Sequence, residues 1–157
     1  MTDFRKKYNF EERFNLSKNI ISNYEDKLPI YLSFDKEILY IVDPLFKKNI
    51  NRYIVTSSLS IVQFLSIVKK KLNIKSNESL TLFIEIYNNN NNNNQNNQNN
   101  QNNEINSVKY SKSLFNSDKI TESILCPLSA SIESIYTQYK DVDNFIYFRL
   151  TKENVFG

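Results

Sequence analysis

An α+β fold is what this sequence predicts, on three observations. Apolar residues recur at helical spacing in two stretches: Ile61, Phe64, Leu65, Val68 and Leu72, then Ile132, Ile135, Tyr136 and Tyr139. Between them Leu80 to Tyr87 alternates, with Leu82, Ile84 and Ile86 on one face. The run Phe145 to Leu150 is apolar on both faces, which predicts a central strand covered on both sides. Mixed strands and helices of this kind make one sheet with helical layers.

The elements follow in order. Phe10, Phe14, Ile20, Ile21 and Tyr24 fall mostly at helical spacing, and Glu11 and Glu12 suit the positive end of a helix dipole. A helix is therefore expected over 10–24, after a short basic turn at Arg5 to Tyr8. Pro29 stops helix and fits the start of an edge strand, so 28–34 reads as a strand. Residues 35–51 are ambiguous: Ile38 to Val42 could continue as strand, Pro44 breaks it, and 45–51 is a polar, basic connector. Arg52 to Thr56 is rich in β-formers and reads as the hairpin partner of 28–34. Thr56, Ser57 and Ser58 offer caps for the helix that follows.

Asn88 to Asn103 is asparagine and glutamine throughout, too polar to offset the entropy of ordering, and reads as disordered. A tolerated insertion over 88–123 is expected, because loop closure costs little more as a loop lengthens. Ser129 or Ser131 can cap the last helix, and 141–144 makes a turn. Helix, strand, strand, helix, strand, insertion, helix and strand make a β-grasp with the C-terminal strand in the middle. The N-terminal segment, 1–27, then packs on the second face of the sheet, and 1–157 forms a single domain.

Composition narrows the function. The 157 residues carry 40% hydrophobic residues and a formal charge of +3, enough for a core and too mild for a nucleic-acid stripe. There is no His, and one Cys, Cys126, so neither a disulfide within the chain nor a Cys-based metal site is expected, and no cofactor is called for. No apolar run reaches the roughly 20 residues of a membrane span, and the N-terminus lacks a secretory core. A cytosolic or nuclear protein is expected. Cys126 reads as a small apolar residue; as a nucleophile it would lack an activating partner.

Gly157 is the one glycine of the chain and stands last. Carboxyl activation wants such an end: a narrow site must accept a bare chain, adenylate it, pass it to a cysteine as a thioester and then to an amine. Glycine has no Cβ to obstruct that path. The alternative is a terminus without chemical meaning.

Several segments, Phe10-Glu-Glu-Arg13, Ile20 with Tyr24 to Pro29, Arg52 to Thr56, Leu59 with Gln63-Phe64, Ser134-Ile-Tyr136, Asp143 to Tyr147 and the ending Glu153 to Gly157, occur in one order. Together they resemble the autophagy-related ubiquitin-like modifiers, the family of GABARAP and light chain 3. That resemblance implies a ubiquitin-like fold and conjugation of Gly157 to phosphatidylethanolamine. The partners it implies are activating and conjugating enzymes, a cysteine protease for deconjugation, and cargo receptors with aromatic-x-x-aliphatic segments; the sites it implies are cytoplasm and, after lipidation, autophagosome or phagophore membrane. It also implies capture of an extended peptide along Arg52 to Thr56. One pocket, of Ile20, Pro29, Ile54 and Phe145, takes an aromatic residue; another, of Tyr53, Val55, Leu59, Phe64 and Ile67, takes an aliphatic one. Arg52, Lys71 and Lys27 meet acidic flanks.

Bland alternatives stand beside these. Phe64, Ile67 and Ile54 could be ordinary core, Lys69 to Lys71 a solvated helix face, and Arg5, Lys6 and Lys7 either a lipid contact or a solvated terminus. A ubiquitin-like peptide-binding module that is never conjugated is the second functional reading. Departures from the family pattern are Leu16 in place of an acidic residue, Thr56 in place of a common proline, a longer 35–51 connector, and the insertion.

Overall fold

The computed structural model describes residues 3–46, 50–87 and 119–153. Five strands, β1 (Lys27–Phe34), β2 (Arg52–Thr56), β3 (Leu80–Tyr87), β4 (Ile120–Leu125) and β5 (Ile146–Lys152), form one sheet in the order β2-β1-β5-β3-β4. The doubly apolar C-terminal strand is in the middle, as expected: β5 runs parallel to β1 and antiparallel to β3. Antiparallel partners β2 and β4 complete the two sides. Pro29 lies in β1, which is an inner strand rather than an edge. Its ring costs nothing there, because β1 meets β5 only from Ile30 onward.

On one face, α4 (Ile61–Leu72) and α5 (Ile132–Tyr139) bury the side chains that their periodicity marked. Ile61, Phe64, Leu65, Val68 and Leu72 all pack in the main core with Ile84, Ile146 and Phe148. Each such burial is worth about 1.5 to 3 kcal/mol. Ser60 and Gln63 form a capping box at the start of α4, and its C-cap Asn73 takes a left-handed φ of 54°, a conformation asparagine tolerates where the chain has no internal glycine.

The second face carries α1 (Asp3–Lys7) and α2 (Phe10–Asn23), the latter held by a capping box of Asn9 and Glu12. They cover an aromatic cluster of Phe4, Tyr31, Tyr87, Phe145 and Tyr147, against which Tyr8 and Leu16 pack. A buried ion pair pins the helices down: Arg13 Nε donates to Asp143 Oδ2 at 2.7 Å, with both side chains fully buried. The carboxylate also accepts from Tyr147 and from the Phe145 N–H, and Arg13 Nη1 donates to the Tyr8 carbonyl. Arg5 Nη1 reaches Asp141 at 3.3 Å, and its guanidinium lies 3.9 Å from the Tyr87 ring centroid.

Two readings of the sequence are corrected. Residues Lys36–Ile41 form a helix, α3, instead of continuing the strand. Ile38 is its buried residue while Leu39 and Tyr40 face out, a one-sided pattern that suits a helical turn capping the end of the sheet. The insertion assigned to 88–123 is shorter at its far end, because Ile120–Leu125 form β4; the remainder, 88–118, lies outside the described residues. Pairing with β3 stabilises β4, although its own side chains are mostly exposed and gave no burial pattern to read.

Candidate functional site

Strand β2 pairs with β1 alone, and among the described residues no strand pairs on its outer side. The hydrogen-bond phase of the hairpin follows from two contacts, Leu32 N–H to the Asn51 carbonyl at 2.7 Å and Ser57 N–H to the Asp26 carbonyl at 2.8 Å. Bonded pairs alternate in an antiparallel ladder, so Tyr53 and Val55 bond inward to β1. Arg52 and Ile54 therefore direct their N–H and C=O groups outward, and Thr56 its N–H, its carbonyl accepting from the Leu59 N–H at 3.2 Å. Thr56 keeps a donor that a proline would remove.

The side chains of β2 split between the faces of the sheet. Tyr53 and Val55 point to α4 and are buried, whereas Ile54 is 50% exposed and Arg52 is exposed on the side of α2. The Arg52 guanidinium lies 5.8 Å from the Tyr8 ring centroid. Pro29 is opposite Ile54 in the register, Ile20 is half-buried, and Phe145 is fully buried within the aromatic cluster. Of the residues expected in the aromatic pocket, Ile54 and Ile20 are at the surface and Phe145 is beneath it.

Across the strand, Phe64 is fully buried and stands edge-on to Tyr53, with centroids 5.6 Å apart. Ile67, on the outward side of α4, is 43% exposed, and Leu59 is partly buried. The core alternative thus holds for Phe64 and fails for Ile67 and Ile54. The Tyr53 hydroxyl is buried with no hydrogen-bond partner, and burial pushes its pKa well above the ordinary tyrosine value. Lys71 Nζ lies 4.3 Å from the Tyr53 ring centroid, and partial burial lowers its pKa. Lys27 donates to the Thr56 hydroxyl at 2.7 Å, so it braces the end of β2.

Gly157 lies outside the described residues, and the last of these, Glu153, donates its N–H to the Ser79 carbonyl at 2.9 Å. Cys126 is buried, and burial pushes its thiol up to about 12. Reasoning from sequence missed Arg13 and Asp143 as the pair that seats α2 beside β2. The available signal was an arginine between Phe10 and Phe14 on the apolar side of a helix. No helix among the described residues is long and apolar enough to cross a membrane.

A five-stranded mixed sheet with a crossing helix on one face, two N-terminal helices on the other and an open β2 defines a ubiquitin-like β-grasp protein. No family model matches the chain. Autophagy-related protein 8 of Schizosaccharomyces pombe is 24% identical over 157 residues, 99% of this chain and 94% of that protein. Its counterpart in Emericella nidulans is 22% identical over 155 residues, 98% of this chain and 95% of that one. The crystal structure of Trypanosoma brucei ATG8 superimposes with a TM-score of 0.61 at 19% identity, covering 100% of this chain and 99% of that one, and so shares the fold. The chain thus has a ubiquitin-like fold and is similar over nearly its whole length to autophagy-related protein 8.

Proposed function

We propose that this autophagy-related modifier is joined through the Gly157 carboxylate to the amine of phosphatidylethanolamine and, once on the membrane, captures cargo receptors along β2. The observation that carries the reading is the open outer row of β2 between two partly exposed apolar faces, in a chain similar to Autophagy-related protein 8 over nearly its whole length. An added peptide strand bonds to Arg52, Ile54 and Thr56. Residues three apart in a strand point to opposite faces, so an aromatic-x-x-aliphatic segment sends its aromatic ring toward Ile54, Ile20 and Pro29 and its aliphatic side chain toward Ile67 and Leu59. Acidic flanks meet Arg52 and Lys71, with salt-sensitive attraction.

The chain itself is the acyl donor, and partner enzymes supply the catalysis. An activating enzyme adenylates the carboxylate and releases pyrophosphate; a cysteine thiolate displaces the nucleotide to form a thioester. The ethanolamine amine then attacks the acyl carbon, forming an amide and releasing the thiol. A cysteine protease would hydrolyse that amide. The two acyl chains anchor the product stably, where one would bind marginally. The free form is thereby cytoplasmic and the conjugate resides on autophagosome or phagophore membrane.

Mass spectrometry of the C-terminal peptide from cells induced for autophagy tests this, with Gly157 expected to carry the mass of phosphatidylethanolamine. Free acid alone would count against conjugation. Gly157→Ala should abolish membrane recruitment and leave peptide binding unchanged, which separates this function from that of an unconjugated binding module.

A further inference from the structure

Two segments leave the sheet at one end. Strands β1 and β5 are parallel and pair Phe34 with Leu150, so the connector after β1 and the tail after β5 depart side by side. The connector is tied down there: the Asp35 N–H donates to the Leu150 carbonyl at 3.0 Å, and Arg149 Nη1 meets Asp35 Oδ2 at 3.0 Å. Ile38 and Val42 sink into the main core, which makes α3 a fixed mount. Its outer side is apolar as well. Leu39 is 37% exposed, while Tyr40 and, in a 3-10 turn at Pro44–Phe46, Leu45 are each 86% exposed, more than any other large apolar side chain among the described residues.

Apolar side chains exposed together commonly mark a contact surface, and position and charge select which one. Glu153 is the last described residue of the tail, and Gly157 is four residues on, a reach of about 14 Å when fully extended. A lipid joined to Gly157 therefore holds this end of the sheet within that reach of the bilayer. Charge here has no positive excess among the described residues: Lys36 and Glu37 are both exposed and cancel, Asp43 accepts the Leu45 N–H at 2.9 Å, and Glu153 adds an acid. Arg149 and Lys152 are matched already, by Asp35 and Glu78. A zwitterionic lipid surface fits these residues better than an anionic one. Tyrosine, apolar along its ring and polar at its tip, favours the headgroup boundary of such a surface.

We propose that the outer side of the 39–45 connector is a second membrane contact: Leu39, Tyr40 and Leu45 enter the headgroup region of the bilayer to which Gly157 is joined. The contact rests on the conjugation reading for its point of attachment. The acyl chains hold the tail, and the connector sets the tilt of the sheet on the surface. Tyr24 lies at the opposite end, 51% exposed, with its carbonyl accepting from the Lys27 N–H at the start of β1. It is separated from α3 by the length of β1, roughly 25 Å, and stays in water.

The test attaches the lipid chemically, so it does not depend on the enzymes of conjugation. The full chain carrying Gly157→Cys is coupled to maleimide-headgroup phosphatidylethanolamine in phosphatidylcholine vesicles; the buried Cys126 thiol does not compete. The chain has no Trp, so Tyr40→Trp supplies a unique reporter. On coupling, its emission should shift to the blue and be quenched by brominated acyl chains, whereas that of Tyr24→Trp should do neither. With a one-chain lysolipid anchor, which binds marginally and reversibly, Tyr40→Ser combined with Leu45→Ser should lower the vesicle partition coefficient roughly tenfold, and Tyr24→Ser should leave it unchanged. Unchanged Tyr40→Trp emission on coupling would overturn the proposal, as would a partition coefficient indifferent to the Tyr40 and Leu45 substitutions. So would a blue shift that grows with the concentration of uncoupled chain and is not increased by vesicles, since a second copy would then cover the connector. Conjugate detected in cells together with unchanged emission here would overturn this contact and leave the conjugation standing.

Discussion

Phe64 and Ile67 are three residues apart on one helix, and their surroundings give them different work. Phe64 is fully buried against Tyr53 and Phe148, so Phe64→Ala should cost about 3 to 5 kcal/mol in urea unfolding. Ile67 is 43% exposed, and Ile67→Ser should change stability by no more than about 0.5 kcal/mol. The same substitution should weaken calorimetric binding of an aromatic-x-x-aliphatic peptide roughly tenfold. Equal loss of stability in both variants would place Ile67 in the core. Cys126 offers a second contrast at this scale. Its thiol is held at about 12 against an ordinary 9.0, so the folded chain binds that proton more tightly than the unfolded one. The stability it contributes is complete below the ordinary value and is lost as pH rises toward 12. Labelling by a thiol reagent at pH near 8 should therefore wait on unfolding, and rapid labelling of the native chain would contradict this burial.

Among the elements, α2 depends most on a single interaction. Its periodicity was legible, as were its first-turn acids; the anchor was not, because Arg13 and Asp143 are 130 positions apart and nothing local pairs them. Removing one member of a buried pair strands the other charge, so Arg13→Ala should cost about 3 to 5 kcal/mol. Denaturant midpoints would measure the loss, and dye binding to the uncovered Tyr31, Phe145 and Tyr147 should rise with it. A variant as stable as the parent would mean that the aromatic cluster alone seats the helix. By contrast, α4 has its anchor written locally: apolar spacing and length agree with the observed helix, although its N-cap is Ser60, beyond the expected Thr56, Ser57 and Ser58, because Ser60 is the residue whose hydroxyl accepts from the Gln63 N–H.

For the whole molecule, the sheet explains why a long polar tract can interrupt the domain. Tyr87 and Ile120 are register partners, so the described residues that flank the stretch 88–118 are adjacent across the β3–β4 pair. Replacing that stretch by a four-residue turn shortens the loop roughly eightfold, and the fold should survive with a gain of about 2 kcal/mol from loop closure. Thermal unfolding of the shortened chain checks this. A collapse of cooperativity would show that the replaced residues contribute contacts to the domain.

Local pattern in the amino-acid chain was enough for the α+β class, the central β5 and the helix over 61–72, because periodicity and double-sided apolarity survive without knowledge of neighbours. Tertiary structure alone decided that Phe64, Val55 and Phe145 lie beneath the surface while Ile54 and Ile67 stand on it. It alone turned 36–41 into helix, and it alone made Ile120–Leu125 a strand with a free side. Exposure and pairing are relations between segments distant in sequence, and a β-edge has no residue signature until its one partner is in place.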